Sequence, residues 1–305
     1  VQTTLRSDVQ FDGTGLHLGE AARLVVQPAP ADHGIVFRRV DLPGRPCIPA
    51  LWDRVIVAPL NTRIETADGI SVSTIEHLMA ALAGCGIHNA LIDVDGPEVP
   101  ILDGSSAAFV SGFLQTGLRR LDAPLRVIEV KKPVTVEVGT ATARLDPADG
   151  LSISFEIAFE DAAIGHQRKT LSLANGAFGR ELCDCRTFCR ASDVAAMREK
   201  GLALGGTYDN AVVVDGDTIL TPGGLRRADE AVRHKMLDAL GDLYTAGAPI
   251  LGAYSGLRAG HAVTNALLRA LFARPDAWAW KTCDPATAAR LPGVGLTLAD
   301  LPAVA

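Results

Sequence analysis

The chain has 305 residues, 48% of them hydrophobic and 21% charged, a balance that buries a real core and leaves room for two domains of ordinary size. Lys and Arg number 29 against 35 Asp and Glu, a net charge of −6, which excludes a general nucleic-acid binder but not a local cationic pocket for a small anionic ligand. No apolar run approaches the roughly 18–20 residues of a membrane helix, and the start, VQTTLRSDVQFDGTG, alternates like a strand and lacks the apolar core of a signal peptide. A soluble cytoplasmic protein is therefore expected.

In chain order, the first 70 residues read as strand-rich. STIEHLMAALAGCGI reads as a helix with Ile75, Leu78, Met79 and Leu82 as its apolar stripe and Gly84 and Gly86 as its end. NALIDVDG reads as a strand. SSAAFVSGFLQTG reads as a second helix, capped by Ser105 or Ser106 and stopped by Gly117. A linker at LDAPL, residues 121–125, separates this part from a renewed strand pattern, RVIEVKKPVTVEVG, followed by the clean alternation of LSISFEIAFE. A helical segment is expected around 173–182, then a polar stretch with cysteines, the strand NAVVVDG turning at Asp215–Gly216, the helix ADEAVRHKMLDALGDLYTAG and a last helix, HAVTNALLRALFA. Strands precede helices in both parts, so the fold class is α+β: two similar layered domains, 1–122 and 126–305. The six cysteines, three of them in CDCRTFC, lack the usual zinc spacing and read as free thiols.

Four polar residues, Glu230, His234, Asp238 and Asp242, recur every fourth position of one predicted helix. Alone, that stripe suits a solvated face with i,i+4 pairs. Three carboxylates on one stripe nevertheless repel each other without a cation, and His234 and Asp238, one turn apart, are spaced to share a divalent metal. His77 is the best third ligand, giving two imidazoles, one carboxylate and an open position for water, with Glu76 beside it to take a proton. Ser73-Thr74-Ile75-Glu76 also fits a capping box, in which Glu76 serves the helix end instead. His261 opens a helix, where the dipole disfavours imidazolium; a carboxylate such as Asp242 is needed to keep it protonated as a general acid. A surface cap is the alternative.

Taken together, TGLHLG, STIEHLMAALAGCGIHNALIDVDGPEVPILDGSSAAF, SFEIAFEDAAIG, RTF, LALGGTYDNAVVVDG, LRRADEAVRHKMLDALGDL and SGLRAGHAVTN, in this order, closely resemble the UDP-3-O-acyl-N-acetylglucosamine deacetylases, zinc enzymes of Gram-negative lipid A synthesis. The resemblance implies zinc on His77, His234 and Asp238. It implies Glu76 as general base, His261 as catalytic histidine supported by Asp242, and Thr187 as a hydroxyl on the developing oxyanion. Lys235, Phe159 and Phe188 then belong to the sugar-nucleotide site. The implied architecture places the site between the two domains, the first bringing Glu76 and His77, the second His234, Asp238 and His261. Each domain carries an insert; that of the second, around 190–220, shapes an acyl tunnel. The implied reaction is hydrolysis of the N-acetyl group of UDP-3-O-(3-hydroxyacyl)-N-acetylglucosamine by a protein favoured to be a monomer.

Several positions depart from the family pattern. Asn61 stands where many members have Cys, Asp161 and Ala162 where they have His-Pro, and Cys189 and Arg190 where they have Gly and an apolar residue; Ala141 replaces a lysine. Arg190 and Ala191 fall at the expected tunnel mouth, so these changes bear on acyl preference, and the loss at 141 shifts phosphate contacts toward Lys235 or elsewhere. Two other readings fit the chain: a sugar-nucleotide or lipid-precursor binding protein without catalysis, and a zinc deacetylase of another N-acyl amino sugar.

Overall fold

The computed structural model describes residues 1–303. Seven α-helices are present among them: α1 (Glu76–Cys85), α2 (Ala107–Thr116), α3 (Ala177–Glu181), α4 (Ala191–Glu199), α5 (Glu230–Tyr244), α6 (His261–Phe272) and α7 (Pro285–Ala288). The expected long helices form; the segment expected as a helix over 173–182 contracts to α3, and a short α7 follows the helix expected to be last. None is long and apolar enough to cross a membrane.

The strands form a mixed set of sheets, in keeping with an α+β class. A five-stranded sheet runs in the order Val9–Thr14, Ala21–Pro28, Ala90–Val94, Ile35–Arg39, Cys47–Pro49. A short antiparallel pair joins Thr3–Leu5 to Leu118–Arg120, and a three-stranded sheet spans Val55–Val72. Beyond residue 125 lies a seven-stranded sheet centred on Ile250–Leu257, which pairs in parallel with Arg126–Val130 and Leu151–Ala158 and antiparallel with Ala141–Pro147. Another three-stranded sheet joins Phe188–Arg190, Val212–Asp215 and Thr218–Ile219.

The central strand of the larger sheet, Ile250–Leu257, escaped the sequence pattern because two glycines interrupt it. A Cβ on Gly252 would lie 2.9 Å from a Val130 methyl, and one on Gly256 would lie 2.7 Å from the Phe155 ring. Packing thus demands glycine where alternation asks for a side chain. Because this strand follows α5, Ala90–Val94 follows α1, and both pair in parallel, the strict strands-then-helices grouping holds in neither part of the chain.

Helix α1 packs on α5, and α5 also packs on α6 and on the strand Leu151–Ala158. The α1–α5 crossing is backbone to backbone: a Cβ on Gly241 would lie 2.0 Å from the Glu76 carbonyl oxygen. Every residue of α1 is buried. Gly84 does not end that helix, as its sequence suggests; it lies inside, where a Cβ would run into the Phe178 ring. Gly86 is the stop, with φ of 68° in the left-handed region.

Candidate metal centre and active site

The α1–α5 crossing brings together the polar residues that the sequence singles out. His77, His234 and Asp238 are 4%, 2% and 5% exposed, and one ligand atom from each lies within 4.8 Å of the others. His77 Nε2 is 3.5 Å and His234 Nε2 is 3.3 Å from the same oxygen, Asp238 Oδ1. The two rings meet edge to face, with centroids 4.9 Å apart. His234 Nδ1 is 3.0 Å from the Cys185 carbonyl. A carbonyl accepts only, so Nδ1 carries the proton and Nε2 is left as a free lone pair. Burial pushes the His234 imidazole down to about 4, so it is neutral, as a metal ligand must be.

Asp238 Oδ2 accepts from Lys235 Nζ at 2.7 Å, whereas Oδ1 is buried without any hydrogen-bond donor. An orphaned carboxylate oxygen facing two imidazole nitrogens is costly for protein alone and suits a divalent cation of the zinc type. The donor set therefore fits the expected metal. The Cys183 and Cys185 thiols take no part: burial pushes both up, and all six cysteines are free.

A second constellation adjoins the first. His261 Nδ1 is 2.8 Å from Asp242 Oδ2, and its Nε2 is 3.9 Å from Glu76 Oε1. Burial opposes charge on His261, but Asp242 and then Glu76 raise it to about 9. Burial pushes the Glu76 carboxyl up, with His261 and His77 pulling the other way. Glu76 forms no capping box. Thr74 has φ of 58°, Ser73 N–H goes to the Pro97 carbonyl, and Glu76 Oε2 accepts instead from Thr62 N–H at 3.0 Å. The Thr62 hydroxyl donates to Asp242 Oδ1 at 2.5 Å, so one residue fixes both carboxylates.

The polar stripe of α5 is therefore no solvent face. Three of its members converge on this centre, and the fourth, Glu230, is 1% exposed and paired with Arg186 Nε at 2.9 Å. Phe188 lies edge-on to Phe159, centroids 5.5 Å apart, and to His234 at 6.3 Å, so Phe188 flanks the His77–His234–Asp238 group and Phe159 packs on Phe188. Thr187 is held through its main chain, its N–H bonding the Gly104 carbonyl and its carbonyl accepting from Val212 N–H. Lys235 points to Asp238.

Three contributors were not singled out in the sequence. Thr62 lies 14 residues before Glu76, just ahead of the strand Arg63–Glu65, and carries no motif of its own. Cys185 acts through its carbonyl, which no side-chain pattern reports. His17, 5% exposed, has a buried Nε2 without a partner, and its main-chain N–H donates to Glu98 Oε1 at 2.9 Å. Burial above all lowers its imidazole; Glu98 opposes this, and nearby His261 and His77 add to it. The signal that could have found it is its place in TGLHLG.

A family model described as UDP-3-O-acyl N-acetylglycosamine deacetylase matches residues 2–273. The chain belongs to this family. The deacetylase match takes in both constellations and stops just after α6. Among curated relatives, a protein of Phenylobacterium zucineum is 49% identical over 92% of this chain and 96% of its own length. One of Idiomarina loihiensis is 46% identical over 93% of each, and one of Stenotrophomonas maltophilia is 43% identical over 94% and 95%. Each is named a UDP-3-O-acyl-N-acetylglucosamine deacetylase. Likeness at this level over nearly whole chains covers the deacetylase fold and the segments that build the centre.

Proposed function

We propose that this protein is a cytoplasmic, monomeric zinc hydrolase that removes the N-acetyl group of UDP-3-O-(3-hydroxyacyl)-N-acetylglucosamine, giving acetate and the free 2-amino sugar nucleotide, an early step of lipid A synthesis. The observation that carries the reading is the unpartnered Asp238 Oδ1 between two imidazoles, one turn of α5 from the Asp242–His261 pair. Both constellations come from one chain, so a monomer suffices. In this reading the chain is two similar layered domains, 1–122 and 126–305, with the site between them. The sheets support it: three draw all their strands from residues 3–120 and two from residues 126–282.

His77, His234 and Asp238 would hold the zinc, which when bound polarises a carbonyl and lowers the pKa of water to about 7. Glu76 takes the proton of the attacking water. Its Oε2 is fixed by Thr62 N–H, which leaves Oε1 to accept. His261 is held cationic by Asp242, so it offers Nε2–H to the developing oxyanion and then a proton to the leaving amine. Thr187 supports the same oxyanion with its hydroxyl. Lys235 keeps Oδ2 of Asp238 engaged and has 18% of its side chain exposed, enough to meet the nucleotide end of the substrate. Phe159 and Phe188 give the sugar nucleotide an apolar wall.

The test is acetate release from UDP-3-O-(3-hydroxyacyl)-N-acetylglucosamine by protein stripped of metal and then given zinc. Activity lost on stripping and regained with zinc supports reaction, substrate and metal together. A folded, zinc-loaded protein that releases no acetate from this substrate overturns the reading.

A further inference from the structure

One member of the α5 polar stripe, Glu230, stands outside the centre. It is the first residue of α5, one turn before His234, so the two side chains share a face. Its carboxylate accepts four bonds. Arg186 N–H at 3.0 Å and Arg186 Nε at 2.9 Å reach Oε1; Arg186 Nη2 at 3.2 Å and Arg226 N–H at 2.7 Å reach Oε2. Arg186 is buried as well. A buried ion pair adds little net stability over apolar residues of the same volume, because both charges lose their water. The main-chain bond from Arg186 points to a different use.

Arg186 N–H and the Cys185 carbonyl belong to one planar peptide, and it is trans. Its two polar groups point in opposite directions. The carbonyl accepts from His234 Nδ1 at 3.0 Å, and the N–H donates to Glu230 Oε1. A single peptide thus bridges two residues of α5 one turn apart, and Glu230 decides which way round it sits. Turned over, the peptide would set the Cys185 carbonyl against the carboxylate, acceptor against acceptor, and would aim Arg186 N–H at His234 Nδ1. Nδ1 would then have to accept, and the proton would move to Nε2. The nitrogen that lies 3.3 Å from Asp238 Oδ1 would no longer offer a lone pair. His77 has no such guide, since its Nδ1 is buried without a partner.

We propose that Glu230 is a positioning residue for the metal centre: by holding the Cys185–Arg186 peptide in one sense, it keeps the His234 proton on Nδ1 and leaves Nε2 free for the ion. The proposal rests on the metal ligands of the deacetylase reading above and adds what presets one of them. Glu230 acts through the peptide and not on the ion or the substrate.

The experiment separates the ion pair from the peptide contact. Arg186→Met removes the guanidinium but keeps the main-chain N–H on Glu230. The double variant Arg186→Met/Glu230→Met removes both and fills the space with apolar side chains, so that the fold is retained. Glu230→Gln keeps the volume and one oxygen. Each metal-free protein is titrated with zinc against a chromophoric chelator, and its Tm is recorded. The His234 tautomer is read from the ring nitrogen chemical shifts of isotopically labelled histidine, assigned by the signals missing in His234→Gln. Zinc affinity is expected to stay within about twofold in Arg186→Met and to fall about 10- to 100-fold in the double variant, the usual loss when a group that orients a ligating histidine is removed, with Glu230→Gln between them. The double variant should also show Nε2–H imidazole at His234, where the parent shows Nδ1–H alone. Zinc affinity in the double variant within about twofold of the parent overturns the proposal, and so does an unchanged tautomer. An equal loss of zinc affinity in Arg186→Met, together with a lower Tm, also overturns it and leaves the pair a structural support. An unsubstituted protein that binds no zinc is a different result: it removes the metal site of the deacetylase reading and this inference with it.

Discussion

Helices α5 and α4 are built to opposite specifications. Of the 15 residues of α5, all but Arg233 and Lys235 are buried, and its charged side chains are spent on each other, on α1 and α6, and on Arg186, Asp229 and Glu181. Of the nine residues of α4, none is buried, and the helix lies on the strands Phe188–Arg190 and Val212–Asp215. Chemistry that depends on atoms a few ångströms apart has been put where packing leaves no freedom. Helix α4, with no buried residue, lies outside that constraint, and such elements adjust without disturbing the reaction.

Substitutions on the two helices and their neighbours should respect this division. The largest effect is expected at the α1 side of the crossing. Glu76→Gln keeps an oxygen for Thr62 N–H but loses the proton acceptor, so kcat should fall about 10²-fold or more while metal content, read by elemental analysis, stays unchanged. Retention of activity within a few fold would return Glu76 to a structural role. Gly241→Ala comes next. It forces a Cβ against the Glu76 carbonyl and should lower unfolding free energy by about 2–3 kcal/mol in denaturant titration, with activity falling as the crossing widens.

A smaller effect concerns pH, at the edge of α1. His88 Nδ1 accepts from Thr3 N–H at 3.1 Å, and burial pushes its imidazole from 6.5 down to about 4. The folded state therefore resists a proton that the unfolded chain takes up. This group's contribution is complete above the unfolded value of 6.5 and is lost as pH falls toward 4. His88→Gln should flatten the stability profile in that window, read as denaturant midpoints across pH; an unchanged slope would show that the ring is free to protonate. The smallest effect belongs to α4, where Val194→Ala should change stability by no more than about 0.5 kcal/mol. A loss of several times that would mean α4 is held as firmly as α5, and the contrast would fail.

Much of the centre was legible because its spacing is helical. His234, Asp238 and Asp242 share a face by the 3.6-residue repeat alone, and their charge balance asks for a cation. The ambiguity at Glu76 was not soluble from sequence: the Ser73–Glu76 spacing is right for a capping box, and only the left-handed Thr74 and the Pro97 carbonyl that takes the Ser73 N–H remove it. Thr62 and the Cys185 carbonyl were hidden for a general reason. Both act across long sequence separations, one partly and the other wholly through main chain, and no periodicity records such contacts. Likewise Ile250–Leu257 was missed because Gly252 and Gly256 answer to neighbouring strands. The Asp161–Arg190 pair was visible only as two separate oddities; that they compensate each other is a tertiary fact.

The contact between Gly241 and the Glu76 carbonyl has a further consequence, for the order in which the molecule matures. His77 and His234 belong to segments made far apart in time during translation, and neither segment holds a complete ligand set. A zinc finger gathers its ligands from one short stretch and folds around the ion. Here the proposed ligand set comes together only when two helices dock without a side chain between them. Metal uptake through this set would therefore wait for α1 to dock on α5, and a chain interrupted before α5 would leave the ribosome with only one of the three proposed ligands, His77.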